Sequence, residues 1–431
     1  MQSQAGADAI DLEALEVAVK AKMMDLGSAL LSAHINADRR DGDADQLRCQ
    51  CGAQAKRCGR RERNLISALG VLRLKRSYYH CDACSGGFFP KDRQLGIERQ
   101  SVSQAVQRMI GRTAAEVSFG VTQVLLGLLA QVGVSVKQVE RVAESLGRQI
   151  SLHEYANADR EPCTARTMYL GMDGTGVPVI PKETKGRKGK QADGSAKTRE
   201  VKLIVIWTAE RFDKKGRPRT DPGSVSYNAA IETASTKGKD AVLSPFAQRV
   251  YREALRRGFY QAPRQVVIGD GARWIWQISA EMFPEAIEVV DIYHAKEKLH
   301  DVGKAIYGAD TDLAAQWVEL RCEQLEAGDI EALIRELKKA SAGCGLAATA
   351  VGYFRTNIER MRYAQFRAEG ICVSSGVVEA GCKDAIGARL KRSGMRWSVQ
   401  GANDIAALRC YVKSDRFDDY WYDRAINLQA K

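Results

Sequence analysis

The sequence predicts a mixed α/β chain, and three observations carry that prediction. Two apolar runs, residues 168–172 (MYLGM) and 264–269 (RQVVIG), each lead into Asp-Gly, the pattern of a buried strand that stops at a polar loop. Between them, residues 200–208 (EVKLIVIWT) form the strongest strand signal in the chain. After them, residues 296–369 repeat apolar positions at helical spacing almost without interruption, through Trp317, Leu320, Leu333, Phe354 and Phe366. Together these describe an α/β core that carries a helical insertion, behind an N-terminal region of different character.

Length and composition set limits. At 431 residues, and about 150 residues per domain, two to four modules are expected. A net charge of +12 and a pI near 9.1 favour a polyanionic partner. No stretch approaches the ~18 consecutive apolar residues of a membrane span, and the opening MQSQAGADAIDLEALE lacks both a basic start and an apolar core. A cytoplasmic, nucleoid-associated protein with no membrane partner is therefore expected. In that reducing setting Cys163, Cys322, Cys344, Cys372, Cys382 and Cys410 read as inert core thiols. Cys49, Cys51, Cys58, Cys81 and Cys84 form a cluster that calls for its own account.

Taken in order, residues 1–45 read as a helical lead with a broad apolar face that includes Leu12, Leu15, Leu26 and Leu30. Residues 46–95 read as a zinc-ribbon-like module. Cys49 and Cys51, then Cys81 and Cys84, each followed closely by glycine and joined by a hairpin, make a tetrahedral thiolate site for structural zinc. The first pair has a one-residue spacer, which leaves Cys58 and His80 open as substitute ligands. Arg60, Arg61, Arg63 and Arg76 surround it, as a nucleic-acid face or as a solvated basic surface. Residues 96–160 carry a helix-turn-helix outline. Val121, Val124, Leu125, Leu128 and Leu129 stripe its first helix, and Ser135 to Gln138 supplies a capping box. Lys137, Gln138, Arg141 and Arg148 then fall on the outer face, where a recognition helix would place them, although a plain αα-hairpin shares the outline.

Residues 161–295 hold the first part of the core. A first strand ends near Asp173; the alternative for its Asp-Gly-Thr-Gly is a hairpin turn. A lysine-rich insert at 181–197, with Lys188 at its centre, reads as a mobile loop, either phosphate-binding or merely solvated. The second strand at 200–208 and a third at 226–233 follow, then a helix over 239–258, the strand leading into Asp270, a helix through Trp274 and Trp276, a strand to Asp291 and a helix opened by His294. This is the element order of the ribonuclease H-like fold, whose first and fourth strands are neighbours. Asp173 and Asp270 would then meet, and two such carboxylates repel unless a hard divalent cation such as Mg2+ or Mn2+ joins them. Residues 296–370 form the insertion. Residues 371–431 complete the core with a serine-capped helix bearing Glu379 and, one turn later, Lys383. That pair reads as a surface ion pair or as a third metal ligand with its neighbour. In the second case Lys383, Arg389, Lys391 and Arg392 face a DNA backbone, and Trp397 beside Arg396 stacks on a flipped base or lies in the core.

MDGTG around Asp173, VIGDGARWIW around Asp270, VDIYHAKEKL around His294, SSGVVEAGCK around Glu379 and SGMRWS around Trp397, in this order, closely resemble bacterial insertion-sequence transposases of the ISKra type, relatives of the Mutator-like DDE transposases. The resemblance extends to the cysteine region and to Pro90-Lys-Asp92. It implies a catalytic triad of Asp173, Asp270 and Glu379, supported by Asp291 and His294. The implied chemistry is cleavage and joining of DNA strands with two divalent ions about 4 Å apart. Double-stranded DNA, as element ends and target, is the expected partner, and a homo-oligomer on DNA the expected working form. A DNA-binding regulator with an inactive core, and a nuclease of the same fold that never joins strands, are the alternatives.

Overall fold

The computed structural model describes residues 11–38, 44–156, 165–234 and 243–429, in two compact units: Met1–Leu146 with Trp421–Lys431, and Gly147–Tyr420. Cys163 and the start of the helix expected at residue 239 lie outside the described residues.

The first unit opens with α1 (Leu12–Ala37), capped by the Asp11 carboxylate on the Ala14 N–H (3.2 Å). A four-stranded antiparallel sheet follows, β1 (Gln46–Arg48), β2 (Gln54–Ser67), β3 (Gly70–Cys81) and β4 (Gly86–Phe88), in that spatial order. α1 lies along the stretch of β3 that β4 leaves open. Asn36 donates to the Arg73 carbonyl and accepts from the Lys75 N–H, so those edge groups are covered. The apolar face expected of α1 is not packed inside the chain. None of its residues is buried, and only its partly covered Leu31 and Ile35 reach the small core of Leu65, Leu72, Leu74 and Ile97. Then come α2 (Pro90–Gln94), α3 (Gln104–Glu116), α4 (Phe119–Ala130) and α5 (Val136–Ala156). The stripe expected to pack on α4 also points outward: Val121, Val124, Leu128 and Leu129 are exposed, and Thr122 and Leu126 are the buried residues.

The second unit is built on β5 (Thr167–Pro178), β6 (Thr198–Thr208), a two-stranded ribbon of β7 (Arg211–Phe212) and β8 (Pro218–Arg219), β9 (Ser226–Ala230), α6 (Pro245–Arg256), β10 (Arg264–Gly269), α7 (Arg273–Met282) and β11 (Ile287–Val290). The five long strands form one sheet ordered β11-β10-β5-β6-β9, with β10 parallel to both β5 and β11, and β6 antiparallel to its neighbours. Both faces are covered, as the unbroken apolar runs require: Tyr169, Leu170, residues 203–207, Val267, Ile268 and Val289 are fully buried. β5 does not turn at Asp173. It stays paired with β6 through Asp173↔Leu203 and on to Pro178↔Thr198, so Asp173 lies inside the strand rather than at its end.

α8 (Ile292–Tyr307) starts two residues before His294, with Asp291 as its cap. α9 (Asp312–Ala327), α10 (Ile330–Ser341), α11 (Gly345–Thr356) and α12 (Tyr363–Ala368) make up the helical segment. α13 (Gly376–Gly381) runs through a π-helical stretch (Cys382–Gly387) into α14 (Ala388–Leu390), and α15 (Val399–Lys413) and α16 (Phe417–Gln429) close the chain. Among the described residues no helix is long and apolar enough to cross a membrane.

Candidate functional site

The pairing of β5 with β10 brings two aspartates level. The ladder ends at Ile268 opposite Gly171, and Asp270, just past the end of β10, lies near enough to Asp173 for its charge to act on the Asp173 carboxyl. Asp173 is half-buried; its Oδ1 accepts the Gly174 N–H (2.6 Å) and its Oδ2 the Cys382 thiol (3.2 Å). Burial pushes the Asp173 carboxyl above its ordinary range. The thiol and the N–H pull it back, the charge on Asp270 pushes it further up, and His294 draws it down. Asp270 folds its Oδ1 onto the Ala272 N–H (2.9 Å), while the Tyr353 hydroxyl holds its carbonyl (3.1 Å).

Glu379 comes to this place on α13, and glycine makes the approach possible. A Cβ on Gly171 of β5 would lie 2.2 Å from Val378, and one on Gly381 would meet Leu203 and Tyr227 at under 3 Å. The helix therefore sits directly on the sheet. Cys382, one turn beyond Glu379 and on the same helical face, touches Asp173. Beyond it the helix widens, and the buried Arg409 donates to the Asp384 carbonyl from Nε and a terminal nitrogen (3.0 and 2.7 Å). Glu379 itself is exposed and paired with Lys383 (2.6 Å), which holds its carboxyl below the usual range. The three carboxylates do not form a closed set: among the described residues the four-cysteine group is the sole cluster of three or more ligand atoms within 4.8 Å of one another.

The serine cap expected before Glu379 is absent, and a longer-range tie stands in its place. No side chain caps α13; instead the buried Asp291 accepts the Ser375 N–H on Oδ2, and on Oδ1 the N–H groups of Tyr293 (2.6 Å) and His294 (3.2 Å). The Ile292 N–H donates to the Val373 carbonyl (3.0 Å), and the Cys372 N–H donates to the Tyr169 hydroxyl (3.1 Å). Asp291 thus ties the start of α8 to the start of α13. His294 lies within hydrogen-bond distance of Glu297 (Nδ1 to Oε2, 3.2 Å). Cys382 and Arg409 were missed from sequence; the former was readable as a residue three positions after Glu379.

The cysteine site is closed. Two turns, before β2 and after β3, face Cys49 to Cys84 at 3.7 Å and Cys51 to Cys81 at 3.6 Å. The Cys51 N–H draws the Cys49 thiol down to about 7. Cys84 is pulled down by the Gly86 N–H but pushed up more strongly, to about 12, by the three neighbouring thiols. Four convergent sulfurs that share protons in this way suit a zinc ion. Cys58, on a bulge of β2, bonds the Lys56 carbonyl (3.6 Å), and His80 faces Asp82 (3.8 Å), so neither belongs to the set.

The residues expected to meet DNA divide. Arg60 and Arg61 are exposed, the latter over the Tyr78 ring (3.7 Å), whereas Arg63 and Arg76 are tied to the buried Asp92 at 2.8 and 2.5 Å. Lys137 and Arg141 are exposed; Gln138 instead completes the capping box with Ser135 (3.0 and 3.2 Å), and Arg148 pairs with Asp404 (2.8 Å). Lys188, Lys391 and Arg396 are exposed. Arg389 departs from its expected DNA-facing placement, and Trp397 takes the core placement of its two readings. Arg389 is fully buried against the Trp397 ring (5.2 Å) and donates to the Met395 sulfur, with burial pulling its pKa to about 10. Trp397 is buried too, its indole N–H on the Leu390 carbonyl (3.0 Å), so it cannot stack on a base.

Against known proteins, the chain is similar in structure to the Drosophila P element transposase strand transfer complex, at 11% identity, a TM-score of 0.26 and coverage of 71% of this chain and 79% of that one. No curated protein matches it. A family model, described as an uncharacterised protein family (UPF0236), matches residues 6–416. The chain therefore belongs to the UPF0236 family.

Proposed function

We propose that this chain is a DDE transposase of an insertion sequence, of the ISKra type that its motifs resemble, with a ribonuclease H-like core. The observation that carries the reading is the pairing of β5 with β10, which sets Asp173 beside Asp270, together with the contact from Asp173 to the helix that bears Glu379. The sheet order supports it, since the first and fourth strands of the core are neighbours.

The residues fit a hard divalent cation. Asp173 is half-buried, and the neighbouring charge of Asp270 raises its pKa further, an arrangement that a cation would relieve. Asp173 and Asp270 would hold Mg2+ or Mn2+, and Glu379 would join them by leaving Lys383. When bound, the metal supplies Lewis-acid stabilisation of the transferring phosphoryl group and activation of the attacking water or 3′-OH. The chain's own residues do the rest. Lys383 keeps Glu379 ionised, Asp291 orients α8 and α13 together, and His294 opens α8 beside them with its ring on Glu297. The cysteine site would hold structural zinc, with four thiolates and no open position. Arg60, Arg61, Lys137 and Arg141 would meet double-stranded DNA. The outward apolar residues of α1 and α4 support a homo-oligomer.

The test is a cleavage and strand-transfer assay on DNA that carries both flanks of the coding sequence, with Mg2+. Nicked and joined products are expected from the native protein, and none from Asp173→Asn, which should still bind DNA. Cleavage without joining would make it a nuclease; binding without cleavage by the native protein would make it a regulator.

A further inference from the structure

A groove of about 900 Å³ lies between the 181–197 segment and residues 391–396. Six cationic side chains line it, Lys182, Lys185, Lys197, Lys391, Arg392 and Arg396, with no carboxylate among the lining residues. Its walls are built. The Ile180 N–H donates to the Trp397 carbonyl (2.9 Å), the Trp397 N–H donates to Pro178 (3.2 Å), and the Val399 N–H donates to Glu183 (3.4 Å). The insert expected as a loop has its own frame, a 3-10 turn at Pro181–Glu183 and a tight return in which Gly189 donates to Gly194 (2.9 Å) and Ala196 to Arg187 (3.0 Å). The nearby acids are turned away: Glu183 accepts from Val399, and Asp193 caps its own turn on Ser195 (2.9 Å).

Buried Arg389 and Trp397 explain this wall. They brace the 391–396 turn from inside, and the turn presents Arg392 and Arg396 to the groove. The groove and the carboxylate site share strand β5: Pro178 at its end and the adjoining Val179 line the groove, and Lys391 of its wall donates to the hydroxyl of Thr175, two residues from Asp173. From Asp173 to Pro178 is five residues of strand, about 17 Å. That is the length of about five base pairs of duplex.

We infer that this groove holds the phosphate backbone of one strand of the DNA on which Asp173 and Asp270 act, about five base pairs from the carboxylates. The inference rests on the proposed transposase reading for what the carboxylates do, but its test reads binding alone. Six cations lining one groove match a polyphosphate track, and its distance from the reacting site suits a strand held on both sides of the scissile bond.

The experiment measures binding of full-length protein to a fluorescent duplex, without divalent metal, across a salt series. The triple variant Lys182→Ala/Lys185→Ala/Arg396→Ala is compared with Lys298→Ala/Lys304→Ala/Lys338→Ala, three exposed cations on the helical segment. Circular dichroism melts establish that both fold. At about 0.9 per phosphate contact, the groove variant should lower the slope of log K against log salt by about 2.7, and the control should leave it near native. Equal slopes in the two variants would overturn the inference. A slope change on single-stranded DNA alone would also overturn the duplex assignment. If the slope falls while the native protein cleaves nothing, the groove stands and the transposase reading fails; the reverse pattern spares the reading and removes the groove.

Discussion

The cysteine site and the carboxylate site are both assembled from distant parts of the chain, yet they are finished to different degrees. The four sulfurs lie on two turns of one small sheet and are already within 4.8 Å of one another. Of the carboxylates one lies within a strand, one just past the end of another and the third on a helix, turned to Lys383. A structural metal site gains from closure, because its binding energy is folding energy. A site that must admit a substrate gains from a ligand held back by a weak surface ion pair, worth only a few tenths of a kcal/mol and easily exchanged.

The comparison can be broken most sharply at the cysteines. Structural zinc contributes on the order of 10 kcal/mol in small domains. Cys81→Ser with Cys84→Ser, or a strong chelator, should therefore abolish zinc on elemental analysis and remove a separate melting transition belonging to the first unit. Retention of that transition would mean the thiols are not a metal site. Next comes Asp173→Asn, expected to lower cleavage about 10³-fold, some 4 kcal/mol of barrier, in a quenched time course, with zinc content unchanged. Gly171→Ala is expected to cost less. Its Cβ would press on Val378 and move α13, and a displacement near 1 Å costs about 100-fold in rate. Loss of rate without loss of DNA binding is the expected signature.

The smallest effect concerns acid. Glu253 is fully buried, which alone would raise its pKa, but Arg256 at 2.6 Å holds it down from 4.5 to about 2. Because the folded pKa is depressed, its stabilisation is present above pH 4.5 and is lost as pH falls toward about 2. In an acid titration followed by tryptophan fluorescence, Glu253→Gln should flatten the loss of stability of the second unit over that window. The cysteine site, with the zinc proposed for it, should respond independently.

Much of the core was legible in sequence because buried strands are runs of Val, Ile and Leu, and the register of β5 on β10 follows from matching apolar runs that both lead into Asp-Gly. The cysteine ligands were legible from spacing, since turns of fixed length place the thiols. Three things were not. The tie that anchors the start of α13 comes from Asp291, 84 residues from Ser375, and no local pattern announces it. Arg389 and Trp397 look like surface ligands in a basic stretch, but they are buried because the turn between them folds back and Trp397 pairs with the end of β5. The apolar stripes of α1 and α4 have the period of core helices and yet face outward; periodicity reports that a face is apolar, not what covers it.

The central claim is that Asp173 and Asp270 together hold a divalent cation. Titration of the DNA-free protein with Mn2+, followed by electron paramagnetic resonance, tests it most directly. The account predicts a bound-manganese signal in the native protein that is lost in Asp173→Asn and in Asp270→Asn and kept in Glu379→Gln. Native-like manganese binding by both aspartate variants would contradict it.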